Sequence, residues 1–259
     1  MVLSPFAQTC CSTAESVGVS VTAVIDTGAQ NCVIFTDEKT VLRFPRFEPF
    51  RVQEVAERHQ AVKDLGLPAP EIFGVREGSA GVAHVVLEAV PGSPFLEALP
   101  SLDKGARERA TDELVDLLLH ARSIEGSRWP FFSHPWTGMW SDLYEKLSRE
   151  PPNVTSTDID NTRDALTAAT TAPLGLIHGD LAWGNILFAS TGAMTTVLDW
   201  DFAVIADPAI DTSAILLNLP ADMAKRFHDG HGQAAADMDR VQHYLATWDL
   251  QHRMWQAQE

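Results

Sequence analysis

From Val19 to Phe44 short β-rich runs alternate with turn clusters, and this pattern restricts the fold more than any other feature of the chain. Val19–Ile25 is rich in β-branched residues, and Asp26-Thr27-Gly28-Ala29-Gln30-Asn31 is a turn cluster. Cys32–Phe35 reads as a second strand, Asp37-Glu38-Lys39 as a second turn, and Thr40–Phe44 as a third strand stopped by Pro45. Strands this short, joined by turns this tight, form an antiparallel meander, because a parallel pairing needs a long crossover.

The pattern then changes period. Val52, Val55, Ala56, His59, Val62 and Leu65 recur at helical spacing up to Gly66, and Leu67-Pro68-Ala69-Pro70 makes a rigid connector. Two more strands are expected at Ile72–Val75 and Val82–Leu87. Pro91-Gly92-Ser93-Pro94 breaks the run, dividing the chain into a strand-rich part, residues 1–90, and a mainly helical part, residues 91–259. In the second part helices are expected from a Ser101 cap to about Ile124, over Ser141–Arg149, Asp158–Thr170 and Pro208–Leu219, and near the C-terminus. Trp129–Trp140 is aromatic and turn-rich, and Ile186–Phe188 with Thr195–Leu198 reads as a hairpin around Ser190-Thr191-Gly192.

Composition excludes several classes. The 259 residues carry a formal net charge of -16, which argues against nucleic acid or an anionic membrane as partner and suits a cationic one. Three cysteines, Cys10, Cys11 and Cys32, are too few for a disulfide framework and fit a reduced, cytoplasmic protein. Met1–Phe6 lacks the charged and apolar regions of a signal peptide, and no apolar run approaches the roughly 20 residues that span a bilayer.

The chemistry concentrates between residues 176 and 201. Asp180 and Asn185 lie five apart between the apolar runs Leu176-Ile177 and Ile186-Leu187-Phe188, so the loop carrying them is anchored at both ends. Asp199 follows Val197-Leu198, and the intervening hairpin turns it back toward Asn185. One carboxylate free to accept a proton, with an Asn and an Asp able to meet a hard cation, is the donor set that phosphoryl transfer requires. A metal hydrolase using His178, Asp180, Asp199 and Asp201 is the weaker alternative, since such sites carry more histidines at ligand spacing.

The segments IHGDLAWGNILF and TTVLDWDFAVIADPAIDTSAILL resemble the aminoglycoside phosphotransferase and choline-kinase-like family. The resemblance is strong over residues 174–218 and moderate over 19–92. It implies an α+β, bilobal protein-kinase-like fold with an antiparallel β-sheet N-lobe that binds nucleotide and a mainly helical C-lobe that carries catalysis and substrate. It further implies Asp180 as catalytic base, Asn185 and Asp199 as Mg²⁺ ligands, His178 as the brace of the catalytic loop and Asp211 as the carboxylate stabilising that loop. Asp201 has no assigned role, and solvated surface is expected for it.

Arg43 stands on the third strand where the fold usually places a lysine, and is expected to hold the phosphates with a glutamate of the next helix, Glu54 rather than Glu57. The phosphate-covering loop, Asp26–Asn31, has only Gly28. The backbones of Glu88 and Val90 are implied to meet the nucleotide base.

The expected reaction moves the γ-phosphoryl of ATP or GTP to a hydroxyl of a small molecule, such as an aminoglycoside or macrolide antibiotic. A metabolic kinase of choline, an amino alcohol or a sugar, and a nucleotide-binding pseudokinase, are the alternatives. Candidate substrate contacts are Trp136, Trp140, Tyr144, Asp142, Glu145, Asp222 and Asp229. Acceptor, nucleotide preference and oligomeric state stay open at this level.

Overall fold

The computed structural model describes residues 3–27, 31–46, 52–77, 82–124, 154–232 and 235–256, with Glu145, Leu147 and Arg149 besides. The chain forms two compact units, Met1–Pro91 with Thr195–Asp201, and Gly92–Met194 with Phe202–Glu259.

The first unit is built on a five-stranded sheet ordered β1-β2-β3-β5-β4. Its strands are β1 (Val21–Ile25), β2 (Asn31–Thr36), β3 (Thr40–Pro45), β4 (Ile72–Glu77) and β5 (Ala83–Glu88). Every pairing is antiparallel, as the short turns require. Side chains alternate between faces. Cys32, Ile34, Leu42, Phe44 and Val86 turn to helix α1 (Pro5–Ser16), which buries Ala7, Cys10 and Ala14 against them. Val41, Val85 and Leu87 turn the other way and pack with Val55 and Ala56 of α2 (Val52–Asp64). Arg43 shares the parity of Val41 and pairs across the ladder with Val85, so its side chain emerges on the α2 face.

Helix α1 was not expected from the sequence. Ser4 caps it by accepting from the Ala7 N–H, Pro5 opens it, and Asp26 takes the Ser4 N–H and hydroxyl at 2.7 and 2.9 Å. The strand after it starts at Val21.

The second unit is mainly helical. Strand β6 (Ser93–Pro94) leads into α3 (Phe95–Ala98) and then α4 (Lys104–Arg122). The expected Ser101 cap is displaced to Asp103, whose side chain accepts from the Ala106 N–H, because Leu99–Ser101 is already a 3₁₀ turn. Helix α5 (Ser156–Thr171) starts with a capping box between Thr155 and Asp158. Strand β7 (Gly175–Ile177) precedes the Asp180 loop and pairs antiparallel with β10 (Val204–Ala206). After the loop, β8 (Ile186–Phe188) pairs with β6. Strand β9 (Met194–Val197) carries the chain from the second unit back to the first. Helices α6 (Ala209–Leu216), α7 (Ala221–His231) and α8 (Ala235–Gln256) complete the unit. Its core gathers Ile177, Val204, Ile210, Val241 and Tyr244.

Helix α4 is the floor on which the loop-bearing strands rest. A β-carbon on Gly175, at the start of β7, would stand 2.6 Å from the Arg122 carbonyl oxygen. One on Gly192, in the turn after β8, would stand 2.0 Å from that of Ala106. The Met194 N–H adds a 2.5 Å bond to Glu113. Trp129–Trp140, and most of the helix expected over Ser141–Arg149, lie outside the described residues.

Candidate active site

The second unit carries the loop on which the base was expected. Asp211, in the first turn of α6, is buried and accepts from two successive backbone amides, His178 at 2.6 Å and Gly179 at 3.0 Å. That chelate fixes the backbone one residue before Asp180. Burial pushes the Asp211 carboxyl up, the two amides oppose this, and the Asp180 charge adds to it, leaving it at about 7. Gly179 has φ +82°, a conformation that favours glycine and turns the chain outward. The buried His178 accepts the Asp180 N–H on Nδ1 at 3.2 Å, which places its ring proton on Nε2. Asp180 itself is exposed.

Asn185 closes the loop. Its Nδ2 donates to the Asp180 carbonyl at 3.0 Å and its backbone N–H to the Ala182 carbonyl at 2.9 Å. Trp183 stacks on Phe95 with centroids 4.3 Å apart and anchors the loop to the core beneath. A second carboxylate, Asp207, is fully buried and receives Arg240 at 2.8 Å and the Tyr244 hydroxyl at 3.0 Å, tying α6 to α8.

The first unit holds Arg43 and Asp199. Trp200 anchors the segment: its Nε1 donates to the carbonyls of Pro68 and Val197 at 3.1 and 3.0 Å. Asp199 has φ +62°, a left-handed backbone that aspartate tolerates better than most residues. Arg43 donates to Asp199 at 2.6 Å and grips both oxygens of Asp201, each at 2.7 Å. His59 of α2 donates to Asp201 at 3.0 Å. With its amide oxygen turned to the guanidinium, Asn31 accepts from Arg43 Nε and Nη2 at 3.2 and 2.7 Å.

Two expectations are corrected here. Asp201 is 4% exposed and is the main partner of Arg43, not solvated surface. Glu54 does not meet Arg43; its half-exposed carboxylate lies 3.7 Å from Arg58, one turn along α2. The helix residue that reaches the cluster is His59. Burial raises the carboxyls of both Asp199 and Asp201. For Asp201 the His59 hydrogen bond and the Arg43 charge outweigh burial and bring it down. Asp199, with one bond from Arg43 and the Asp201 charge beside it, stays above the ordinary range.

Glu88 ends β5, and among the described residues the Val90 N–H has no backbone partner. Gly28 lies outside the described residues, as do Trp136, Trp140, Asp142 and Tyr144. Glu145 pairs with Arg149. Asp222 and Asp229 line an open groove of about 830 Å³, but Arg107 and Lys225 already neutralise them at 2.8 and 2.5 Å. No group of three or more His, Cys, Asp or Glu side chains fit to hold a metal occurs among the described residues. No described helix is long and apolar enough to cross a membrane.

The chain is 30% identical over 171 residues to viomycin phosphotransferase of Streptomyces vinaceus, across 59% of this chain and 56% of that one, so the match spans about half the length of the relative. Among solved structures, the GDP and kanamycin complex of an aminoglycoside 2″-phosphotransferase superposes with a TM-score of 0.73 at 17% identity, covering 98% of this chain and 93% of that one. An aminoglycoside 3'-phosphotransferase of type VIII gives 0.63 at 17% identity, covering 91% and 98%. The α+β architecture, with a five-stranded antiparallel sheet followed by a mainly helical part, is thus the aminoglycoside kinase fold. Residues 22–244 match the phosphotransferase enzyme family, and the chain belongs to that family.

Proposed function

We propose that this phosphotransferase moves the γ-phosphoryl group of ATP or GTP to a hydroxyl of a small, cationic antibiotic. The observation that carries this reading is the Asp211 chelate on the His178 and Gly179 amides, which holds Asp180 exposed at the tip of a rigid loop. A carboxylate so placed can orient an alcohol and take its proton as the P–O bond forms. Asp180 is therefore assigned as base. His178 and Asp211 set its backbone, and Arg43, Glu88 and Val90 are assigned to the nucleotide side. Glu54 is assigned no phosphate-clamping role, since its carboxylate turns to Arg58.

Asn185 and Asp199 are the oxygen donors proposed for Mg²⁺. They fit it: among the described residues the Asn185 side chain makes its hydrogen bond through the nitrogen, and Asp199 has one oxygen on Arg43 and no hydrogen bond on the other. Both are hard donors of the type magnesium takes. The ion, when bound, would neutralise charge on the phosphates. The chain's own part is to keep these two oxygens in place and to hold Asp180 ready for the proton.

A cationic acceptor is supported by the net charge of -16 and by the relative named for viomycin; one neighbour is a kanamycin complex. The test is a phosphorylation screen with ATP and GTP over aminoglycosides, macrolides, viomycin and amino alcohols. Transfer to an antibiotic supports the reading. Transfer confined to choline or an amino alcohol makes the protein a metabolic kinase. Nucleotide binding with transfer to none of the panel overturns the assignment of Asp180 as a working base for these acceptors.

A further inference from the structure

Three costs converge on the Arg43 cluster. Arg43 is 8% exposed, Asp201 4% and His59 1%, so charges and a polar ring are taken out of water together. Burying ions is expensive, and an apolar set of similar volume generally serves stability as well or better. His59 adds to the cost: its Nε2 donates to Asp201, and its buried Nδ1 has no partner among the described residues. Asp199 holds a left-handed backbone, and such conformations persist where the surroundings over-determine them. A fold that needed only a stable sheet-to-helix contact here would need none of the three.

The division of the guanidinium suggests what they achieve. Asp201 takes Nη1 and Nη2 in a fork, Asn31 takes Nε and Nη2, and Asp199 receives only a share of Nη2. One Asp199 oxygen is thereby oriented while the carboxylate keeps negative charge beyond what Arg43 cancels. Arg43 and Asp201 cancel each other's charge, so the cluster as a whole keeps one net negative charge, that of the proposed metal ligand Asp199 itself. Without Asp201, the freed Nη1 of Arg43 would be available to Asp199 as a second donor and would compete with a cation for it.

We propose that Asp201 and His59 are positioning residues that limit Arg43 to a single bond on Asp199, and so set the affinity of this chain for magnesium-bound nucleotide. This rests on the reading of Asp199 as a metal ligand. His59 takes the place expected of the helix glutamate, acting on Arg43 through Asp201 and not directly.

The experiment measures binding of a fluorescent ATP analogue to the full chain with Mg²⁺ and with EDTA, for wild type and Asp201→Asn. The expected result is a rise of about 10- to 100-fold in the dissociation constant with Mg²⁺, the range found when partners of metal ligands are removed, and a much smaller change in EDTA. Equal affinity with Mg²⁺ for variant and wild type overturns the proposal, as does an equal loss with and without the ion, which is what a merely structural role would give. Should Asp201→Asn fail to fold, His59→Gln and His59→Leu replace it. Gln keeps an N–H for Asp201 and should retain Mg²⁺-dependent binding, while Leu should lose about tenfold. Identical behaviour of the two overturns the proposal. Wild type that binds nucleotide equally with and without Mg²⁺ overturns instead the underlying assignment of Asp199, a distinguishable outcome.

Discussion

Replacing Gly192 by alanine tests how the Asp180–Asn185 loop is supported. The residue sits in the turn between β8 and β9, where the Gly192 N–H meets the Ala189 carbonyl at 2.9 Å and the Ala189 N–H meets that of Ala193 at 2.8 Å. Its φ is +79°, so any side chain costs about 1–2 kcal/mol in backbone strain. The new methyl would also stand 2.0 Å from the Ala106 oxygen and 2.6 Å from its carbonyl carbon. These are backbone atoms in the first turn of α4, pinned by the Asp103 cap, so they cannot swing aside as a side chain would. Forcing the turn away adds about 1–3 kcal/mol, as overpacking usually does. The sum, about 2–5 kcal/mol, corresponds to a fall of roughly 4–20 °C in Tm for a chain of this size. Calorimetry on Gly192→Ala measures it, with Gly184→Ala as control, since nothing lies within 4 Å of a β-carbon there. A Gly192→Ala protein as stable as the control would mean that strain and close approach are both absent from this turn.

Three further perturbations have defined outcomes. Burial and the nearby Arg122 charge bring His231 from 6.5 to about 4, with Asp237 opposing and His228 assisting. A lowered histidine pKa gives stability that is present above the unfolded value and lost as pH falls from about 6.5 to 4. About 2–3 kcal/mol should therefore disappear across that window in wild type, and thermal melts of His231→Leu should show a flatter acid limb. Asp211→Asn points an amide N–H₂ at one of the backbone donors of His178 and Gly179; urea melts should show a loss of about 1–3 kcal/mol, and kcat should drop about 100-fold from misplacement of Asp180. Thr155→Ala removes the α5 capping box and should cost about 1 kcal/mol by chemical denaturation, with turnover unchanged.

Elements with a strong local signal were legible in the sequence. The meander from Val21 to Pro45 follows from period-two patterning and tight turns, and the Asp180 loop from polar residues between two apolar runs. Helix α1 escaped because Ser, Thr and Cys dominate it and its burial depends on a sheet that comes later in the chain. The Arg43 partner escaped for a different reason. Helical spacing places Glu54 and His59 on α2 but does not say which of them meets the sheet, and Asp201 lies 158 residues from Arg43. A usable signal was present: Asp201 is a charge among Trp200, Phe202, Ala203 and Val204, where an exposed position is hard to arrange. The candidate substrate acids show the opposite limit. Asp222 and Asp229 read as free negative charge, yet each has a basic partner, Arg107 from a distant helix and Lys225 one turn away.

The central claim is that Asp180 serves as base in phosphoryl transfer to a small-molecule hydroxyl. The direct measurement compares wild type with Asp180→Asn, using the acceptor found in the screen, and follows both phosphorylated product and nucleotide affinity. With Asp180 as base, kcat should fall by about 10²–10⁴-fold while the nucleotide dissociation constant stays at the wild-type value. Product formation by Asp180→Asn at the wild-type rate would contradict it.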